Sequence, residues 1–568
     1  MINALARLYS AAFFALIMLL LSGCGKTRNF FQDPVQNSAP RPEFMPNVTP
    51  DDLGRLKQDY NAGVNNKPVD INTKPIQSEP SEPGISNPPV KLDPPANTEP
   101  PPQEPPVTEP PATEPPVVEP PSNEPPAPAL PDLPPQPPIS SDPTVPEPPV
   151  APTEPGESPR YESKPTFNVM RVRLFPIFNH DTPVQDPYVA NFNEKKLTLS
   201  NDKGLQVIDL ATKKVLGTGA KVKFDLTLKT ISIDDKKVSV LAKVEVIPNV
   251  PGSGTVMTGL KESAHKTDGY FKFDGSFVFM KTIVKNQADA VVSTWHLVNF
   301  VYLEDYITSV TPSEVPQKWS DPAENATEAV KAQAVAARSY GLNSIISSRK
   351  ATTREWDVVP TTSNQFYSGI RFLNESSKAL VQATAGQILT HNNEVILAVF
   401  SANSGGFTCS SKDCWGVDLP YLQPIEDAPE VRDLPGGTRQ VLLGRLPWQR
   451  ILKANKIIIN VASKAESISI LKTNASQRVT QITTKVAGKI FNLNAAQTNN
   501  VLNQSYRGNR YVEFGPLVND KFTIKIFGFG HAIGMSQWGA YAYARKGLTY
   551  QQILSRYYQN TQLISLAE

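Results

Sequence analysis

A long proline-rich stretch limits what the first part of this chain can fold into. Of the 55 prolines in its 568 residues, 39 precede Tyr161. Between Glu99 and Pro126 the triplet Glu-Pro-Pro recurs every five residues. Proline fixes φ and has no backbone N–H, so such a repeat favours extended polyproline II over helix or sheet. We therefore predict a disordered tether over residues 24–160, whose most proline-rich part would reach on the order of 200 Å if fully extended.

The acidic repeat allows two interpretations. It can be a spacer, or it can be a docking ligand for a proline-binding module. The repeat carries glutamates without basic anchors, which favours the spacer. A tether of this length would let a membrane-anchored domain act on a distant target such as the cell wall.

Residues 1–23 have the organisation of a secretory signal peptide. Arg7 is followed by the apolar run Ala11–Leu21 and then by small residues. The alternative is a short membrane anchor, but the run is short for a complete span. Leu21-Ser22-Gly23-Cys24 resembles the bacterial lipobox, which implies that Cys24 becomes the lipidated first residue of the mature protein. We expect an extracytoplasmic, periplasm-facing protein held by acyl chains to the cell membrane or, because Gly25 is not the retention aspartate, to the outer membrane.

The remaining residues have the composition of a folded protein. A net charge of +2 gives no general case for nucleic-acid binding, and we predict no nucleic-acid partner. No apolar run after the N-terminus is long enough to span a bilayer, so the chain is not a polytopic membrane protein. About 400 residues are enough for one large domain or two intimate ones.

The pattern of the folded part changes near residue 300. Alternating or β-branched runs, such as Val169–Leu174, Lys221–Leu228 and Val238–Val246, predict a β-rich part over residues 161–300. Residues 301–568 combine helices with further strands, so the predicted fold class is α+β. The predicted elements are an alanine-rich helix Asn325–Ile346 with Asp321 as N-cap, a strand Val395–Phe400, and helices Met535–Lys546 (ended by Gly547) and Thr549–Tyr558 (begun by a capping box).

Two cysteines follow Cys24, and their spacing leaves several states open. Cys409 and Cys414 are four residues apart. In an oxidising compartment a local disulfide is the default for such a pair. A zinc site would need further ligands, and free thiols are the third possibility.

Four segments carry more polar and glycine detail than packing requires: residues 303–316, 362–369, 400–416 and 528–540. Each is weak evidence by itself. His531 alone is more often a structural histidine, and Ser404 does not lie in the G-x-S-x-G elbow of serine hydrolases. Glu304 and Asp305 are explained by a helix start.

Together and in this order, the segments closely resemble the SpoIID/LytB family, named for stage II sporulation protein D of spore-forming bacteria. The resemblance covers roughly residues 169–560. It is sharpest in LEDYITSVTPSEVP (303–316), EAVKAQAVAARSY (328–340) and GHAIGMSQWGA (530–540). It implies a lytic transglycosylase that cleaves peptidoglycan glycan strands between MurNAc and GlcNAc and leaves 1,6-anhydro-MurNAc ends.

The resemblance also implies the site residues. The glutamate of the family's SEMP-like motif falls on Glu314, followed here by Val315 in place of the usual methionine, and it implies Glu314 as the single general acid/base. Such a group needs a raised pKa, which apolar neighbours such as Val315, Pro316 and Trp319 could provide. Without the resemblance, Glu314 would be interpreted as a solvated loop carboxylate. The expected substrate-binding residues are Gln365, Tyr367, Ser404, His531, Ser536 and Gln537.

The residues before the SGG segment bear on whether the protein binds a metal. Some enzymes of the family bind zinc through one histidine and two cysteines, but Ser401-Ala402-Asn403 stands where the histidine often precedes SGG. We therefore predict neither a metal nor another cofactor. The alternative function is a non-catalytic peptidoglycan-binding enhancer of a partner N-acetylmuramoyl-L-alanine amidase, and a purely structural wall-binding lipoprotein is a third.

Overall fold

The computed structural model describes residues 55, 57–58, 157–161, 166–176, 196–258, 271–285, 291–350, 355–362, 364–461, 464–506 and 511–566. The predicted signal peptide, the lipobox with Cys24 and nearly all of the proline-rich tether lie outside the described residues. Among the described helices, none is long and apolar enough to cross a membrane.

One large antiparallel sheet occupies the described part of residues 169–302. Its main strand order is β1-β10-β9-β6-β2-β3-β4-β5, and β7 joins it by pairing with β2 and β8. Period-two alternation builds it: Val222 and Phe224 point into the core while Lys221 is exposed. The strands are β1 (Val169–Pro176), β2 (Lys196–Asp209), β3 (Val215–Asp225), β4 (Thr230–Ile233), β5 (Lys236–Val240), β6 (Val244–Pro248), β7 (Thr255–Thr258), β8 (Phe271–Phe273), β9 (Ser276–Lys285) and β10 (Val291–Tyr302).

The sheet confirms the β-rich prediction and corrects details of it. The predicted run Val238–Val246 is two strands, because the chain leaves the sheet between Val240 and Val244. The chain also enters the folded part slightly before Tyr161. Arg160 pairs with buried Glu245 at 3.2 Å, and Ser276 Oγ donates a hydrogen bond to the Pro159 carbonyl.

Helices and short strands make up the described part of the chain after residue 302, which gives the mixed α+β class that the sequence predicts. The helices are α1 (Leu303–Glu314), α2 (Thr327–Lys350), α3 (Glu375–Gln382), α4 (Ser411–Trp415), α5 (Arg445–Ala454), α6 (Ala495–Tyr506), α7 (Gln537–Arg545) and α8 (Tyr550–Tyr557). The strands are β11 (Gln387–His391), β12 (Glu394–Val395), β13 (Phe400–Ser401), β14 (Thr438–Gly444), β15 (Ala465–Thr473), β16 (Val479–Val486), β17 (Lys489–Leu493), β18 (Val512–Val518), β19 (Lys521–Phe527), β20 (Met535–Ser536) and β21 (Gln562–Ser565).

Helix α2 is the central element of this half. It packs against α1, α7, α8 and β11, and its residues are buried almost continuously from Ala329 to Ser348. Alanine side chains let neighbouring elements approach from several directions, so the helix does not need a single apolar stripe. Its start differs from the predicted one: Asp321 caps only the 3₁₀ turn Pro322–Glu324, and Asn325 is left-handed (φ 51°), so α2 begins at Thr327.

The two predicted C-terminal helices are present, but α7 begins at Gln537, because Met535 and Ser536 pair with Phe400 and Ser401 as a short strand. Gly547 has a positive φ of 85° after α7, and Thr549 with Gln552 forms the predicted capping box of α8. The predicted strand Val395–Phe400 is wrong for its middle. Only its two ends pair, in β12 and β13, and Ile396 to Val399 form a buried irregular segment.

Residues 438–527 form an inserted module with its own core. Strands β14, β19 and β18 make one antiparallel sheet, and β15, β16 and β17 make another. The two ends of the module lie side by side, because Thr438 pairs with Phe527 and Gly528 N–H donates to the Gly437 carbonyl at 2.9 Å. Its core is a separate apolar cluster that includes Trp448, Ile482 and Phe522.

Candidate active site

Glu314 is the last residue of α1. The helix contains Pro312, which has no N–H to give to the preceding turn, and it ends two residues later. The neighbouring Ser313 hydroxyl lies 2.6 Å from the Ser368 hydroxyl, which fixes this end of α1 against the loop after residue 360. Glu314 is therefore held at a helix end and is not on a free loop.

The carboxyl group of Glu314 is surrounded by protein although part of the residue remains accessible to solvent. Burial raises the pKa of Glu314 to about 7, and hydrogen bonds from the Phe366 N–H and the Gln537 side chain oppose that rise. No neighbouring charge is among the causes of this pKa. Near neutral pH, such a group can both give and take a proton.

Two glutamines connect Glu314 to helices α2 and α7. Gln537, the first residue of α7, donates from Nε2 to the Glu314 backbone carbonyl at 3.3 Å and to Gln333 Oε1 at 3.4 Å. Gln333 lies on α2 and is fully buried. Of the predicted substrate-binding residues, Gln537 is thus the one that contacts Glu314. The sequence analysis did not identify Gln333, because it stands in the middle of the alanine-rich helix.

Apolar groups pack beside this region as expected, with one exception. Val315 and Trp319 are buried, whereas Pro316 is exposed and does not contribute to desolvation. The Trp319 ring lies 4.8 Å from the Tyr541 ring and 5.0 Å from the Trp538 ring, as measured between centroids. The aromatic cluster therefore joins the segment after α1 to helix α7.

An ion pair between buried Arg338 and partly exposed Glu304 fixes α1 against α2. Arg338 donates to both carboxylate oxygens of Glu304 at 2.8 Å, and its third nitrogen donates to the Gln387 carbonyl at 3.1 Å. Arg338 is completely buried. The interpretation of Glu304 as an ordinary helix-start residue was therefore incomplete, since it anchors the helix that carries Glu314.

Ser404 and Ser536 belong to a hydrogen-bond network around Asp427. Ser404 Oγ donates to Asp427 Oδ2 at 2.6 Å, and the Ser536 hydroxyl accepts from the Ser404 N–H at 3.2 Å. The Tyr557 hydroxyl donates to Asp427 Oδ1 at 2.7 Å. Burial raises the pKa of Asp427, and these donors oppose that rise. The two serines and Asp427 are buried, and their hydrogen bonds join the SGG segment to the start of α7 and to α8. Substrate binding by Ser404 and Ser536 remains a prediction.

The backbone of α7 approaches this network closely. A Cβ on Gly539 would lie 2.0 Å from the Tyr557 hydroxyl oxygen and 2.5 Å from the Asp427 carboxylate oxygens. Only glycine fits there. The sequence alone gave no signal for Asp427, whose role depends on contacts with residues more than 20 positions away.

His531 is partly exposed and has both ring nitrogens engaged by the backbone. Nδ1 accepts from the Ile533 N–H at 3.0 Å, and the ring also makes a hydrogen bond with the Phe400 backbone. Burial of the ring lowers the pKa of His531 to about 4, so the imidazole is neutral at pH 7. It packs 5.2 Å from the Trp415 ring. This arrangement leaves no His–Ser contact for a serine nucleophile at Ser404, whose proton goes to Asp427.

Gln365 and Tyr367 are both buried. Gln365 is fully buried, accepts from the Tyr306 hydroxyl at 3.1 Å and donates to the Ala337 carbonyl at 3.2 Å. Tyr367 is buried between aromatic rings and donates to Asn299 Oδ1 at 2.8 Å. Their contact with substrate remains a prediction. Both residues hold the loop whose Phe366 N–H reaches Glu314.

The cysteines do not fit a zinc site. Cys409 and Cys414 are joined as a disulfide, with 6.2 Å between their Cα atoms. No histidine directly precedes the SGG segment to serve as a third ligand. The hydroxyl of Ser401, which lies there, accepts a hydrogen bond from the Ala532 N–H at 3.2 Å. In the part of the chain that the structure describes, no three His, Cys, Asp or Glu side chains are grouped to hold a metal ion.

Comparison with known proteins places the site in a recognised sequence pattern. The profile of the SpoIID family, described as stage II sporulation protein, matches residues 292–391. This range includes β10, α1 and α2, and therefore Glu304, Glu314, Gln333 and Arg338. The matched segment ends before Ser404 and His531.

Three relatives extend the match. An uncharacterized protein of Brachyspira hyodysenteriae is 31% identical over 282 residues, which are 48% of this chain and 69% of the relative. Stage II sporulation protein D of Bacillus subtilis is 28% identical over 46% of this chain and 74% of its own length. The amidase enhancer of Bacillus subtilis is 30% identical over 46% of this chain, but that alignment spans only 40% of the enhancer.

Proposed function

The chain belongs to the SpoIID/LytB family, and from that premise we propose that it is a peptidoglycan lytic transglycosylase with Glu314 as its single general acid/base. The observation that carries the proposal is the state of Glu314: a partly accessible residue whose carboxyl group has a pKa of about 7, at the end of a helix fixed by the Glu304–Arg338 ion pair. The environment matches what a group with two successive proton-transfer roles requires.

One carboxyl group is enough for this reaction. Protonated Glu314 donates its proton to the glycosidic oxygen between MurNAc and GlcNAc as the C1–O bond breaks. The resulting carboxylate takes the proton from the muramyl 6-hydroxyl, whose oxygen bonds to C1 and closes the 1,6-anhydro ring. The Phe366 N–H and the Gln537 amide stabilise the carboxylate between the two steps. An ordinary glycosidase would need a second carboxylate for water or for a covalent intermediate.

The decisive experiment is Glu314→Gln, which retains the shape of the side chain and removes the titrating proton. General acid/base help is typically worth about 10²–10⁴ in rate, and because one group serves both steps we expect a loss at or beyond the upper end. The measurement is anhydromuramyl product by mass spectrometry on glycan strands stripped of stem peptides. Glu430→Gln, which alters a surface ion pair with Lys546, is the matched control and should retain activity.

A pull-down on the same strands keeps the test interpretable. Binding should survive in Glu314→Gln, since the neutral amide fits the same space. Full turnover by this variant would remove Glu314 from catalysis.

The similarity to an amidase enhancer supports a second candidate function. Here the chain would bind wall glycan and stimulate a partner amidase without cleaving strands itself. The two functions separate in one assay, because an enhancer accelerates stem-peptide release by an added amidase and forms no anhydromuramyl ends. In that case Glu314→Gln would leave the stimulation unchanged.

We also propose that the protein is extracytoplasmic and is tethered through a lipid on Cys24. The support is the lipobox-like sequence before Cys24, together with the proline-rich segment that follows it. Cys24→Ala should move the protein from the membrane fraction to the soluble extracytoplasmic fraction after cell fractionation. A membrane association equal to that of the unmodified sequence would contradict the anchor.

A further inference from the structure

Three side chains converge on one face of the large sheet, away from Glu314. Arg173 on β1 lies opposite Val298 of β10, and His296 is two residues from Val298 on the same face. The guanidinium carbon of Arg173 lies 4.6 Å from the Trp356 ring, and the His296 ring lies 4.8 Å from it, both to the ring centroid. The indole ring of Trp356 therefore lies beside both the Arg173 guanidinium and the His296 imidazole.

Three polar atoms of this cluster are buried without a hydrogen-bond partner. His296 is 3% exposed, yet neither Nδ1 nor Nε2 makes a hydrogen bond, and Arg173 Nε is buried without an acceptor. Among the described residues, no carboxylate pairs with Arg173. Buried polar groups without partners are rare and cost free energy, so each calls for an explanation.

Arg171, the neighbouring arginine of the same strand, has a carboxylate partner. Arg171, two residues away on β1, donates to Asp357 Oδ1 from Nε at 3.1 Å and from Nη2 at 2.7 Å. Burial lowers the pKa of Arg173 to about 10, so its guanidinium keeps its charge at neutral pH. The sheet thus holds one buried arginine with a carboxylate and one without.

We propose that Arg173, His296 and Trp356 form a binding site for a carboxylate group from outside the described residues. The Arg173 Nε–H and a His296 ring N–H are the donors that such a group would accept from, and the Trp356 ring excludes water from one side. Arg173 and Trp356 are partly exposed, which leaves an approach from solvent to the buried imidazole. A carboxylate brings one negative charge against the single positive charge of Arg173, whereas a phosphate dianion would leave an excess charge in a buried place.

This site is distinct from the one around Glu314. Helix α2 separates the two: Gln333 near its start contacts Gln537, and Ser348 near its end donates to Asp357, the residue after Trp356. Fifteen helical residues between these positions span about 22 Å. The proposal does not depend on Glu314 being catalytic, so the failure of either leaves the other standing.

The test uses the full chain with sodium acetate as the probe, at constant ionic strength against sodium chloride. The protein has only five histidines, so the His296 ring resonance can be assigned in a ¹³C-histidine NMR spectrum by its loss in His296→Leu. We expect a saturable shift of this resonance with acetate and none with chloride. Arg173→Gln should weaken acetate binding at least about tenfold. Arg160→Gln, a partly exposed arginine paired with Glu245, is the matched control and should leave the affinity unchanged.

A second measurement distinguishes a ligand site from simple packing. Because His296→Leu replaces an unpartnered imidazole with an apolar side chain, its melting temperature should equal or exceed that of the unmodified protein, while acetate no longer raises it. No saturable acetate shift, an equal response to chloride, or an unchanged affinity in Arg173→Gln would overturn the proposal. Inorganic phosphate that bound more tightly than acetate would overturn the choice of a carboxylate.

Discussion

Glu314 combines a chemical use with a cost to stability. Its surroundings disfavour the charged form and raise the pKa to about 7, while an unfolded chain leaves a glutamate near its ordinary value of about 4.3. The folded protein therefore holds this proton more tightly than the unfolded chain does. The same environment that prepares the group for proton transfer makes the folded state less stable once Glu314 ionises.

Glu314→Gln should therefore stabilise the protein as pH rises. Below about pH 4 both folded and unfolded forms carry the proton, and the carboxyl imposes no penalty. Between pH 4 and 7 the penalty grows, and above pH 7 it is constant. We expect the stability of Glu314→Gln relative to the unmodified protein to rise by about 2 kcal/mol between pH 4 and 8, after allowance for partial exposure.

Urea unfolding of both proteins at a series of pH values measures this difference. For Glu430→Gln we expect the stability difference to change with pH in the opposite direction, because pairing with Lys546 lowers the pKa of Glu430. A pH-independent difference for Glu314→Gln would mean that the pKa of Glu314 is not raised in the folded protein.

The sequence could identify Glu314 but not which polar residues accompany it. Glu314 stood in a recognisable motif, whereas Gln365 and Tyr367 stood in a segment whose glycine and hydroxyl content suggested an exposed loop. Their burial depends on packing against Tyr306 and Phe273, which are distant in sequence. Asp427 was missed for the same reason, since its partners come from three other segments.

Helices α1 and α2 act as one unit because of the Glu304–Arg338 pair. Arg338 is completely buried, and both of its fork nitrogens meet Glu304. The capping signal at Asp321 and Pro322 predicted a helix start, but α2 begins five residues after Pro322, at Thr327, because Asn325 is left-handed. Capping signals report a local preference and cannot show which of two adjacent turns continues into the long helix.

Removing one member of this pair should cost more than removing both. Glu304→Leu leaves a buried guanidinium without its carboxylate, and we expect a loss of about 3 kcal/mol in the free energy of unfolding. Glu304→Leu with Arg338→Leu should recover part of that loss, because no uncompensated charge remains. Urea unfolding of the single and double variants measures the coupling.

An exposed ion pair is the matched control for this cycle. Lys412 and Asp418 lie 3.0 Å apart with most of their side chains in solvent, and Lys412→Leu should cost under about 0.5 kcal/mol. Strict additivity of the Glu304 and Arg338 variants would show that the two side chains do not stabilise each other.

At the scale of the whole molecule, an inserted module separates two segments that pair with each other. The SGG segment and the GHAIGMSQWGA segment are joined through β13 and β20, yet residues 438–527 separate them in sequence. From the sequence alone, residues 301–568 are predicted to form one core. The module's alternating strands look like the rest of the fold, and only the pairing of Thr438 with Phe527 shows that its two ends meet.

The module also contacts the disulfide loop. The Ser476 N–H donates to Asp413 Oδ2 at 3.1 Å, and Arg478 donates to the Phe407 carbonyl at 2.8 Å. Arg432 donates to the hydroxyl of Tyr511 at 2.6 Å, and the Tyr511 ring lies under the guanidinium of the same Arg478. These contacts are polar, whereas the module's apolar core is separate from the cores of the remaining chain. Independent folding of the module is therefore the expected behaviour.

Residues 436–529 expressed alone should fold cooperatively. Trp448 is the only tryptophan in this fragment; it is buried and donates from Nε1 to the Thr484 hydroxyl at 3.2 Å. The fluorescence emission of Trp448 should shift to longer wavelength on unfolding, at the same urea concentration at which the far-UV circular dichroism changes.

Ile482→Ala, at a fully buried position, should lower the free energy of unfolding by about 2–4 kcal/mol. Ile490→Ala, at a position 68% exposed, should change it by less than about 0.5 kcal/mol. Equal effects of the two substitutions, or the absence of a cooperative transition, would show that the module depends on the rest of the chain for its core.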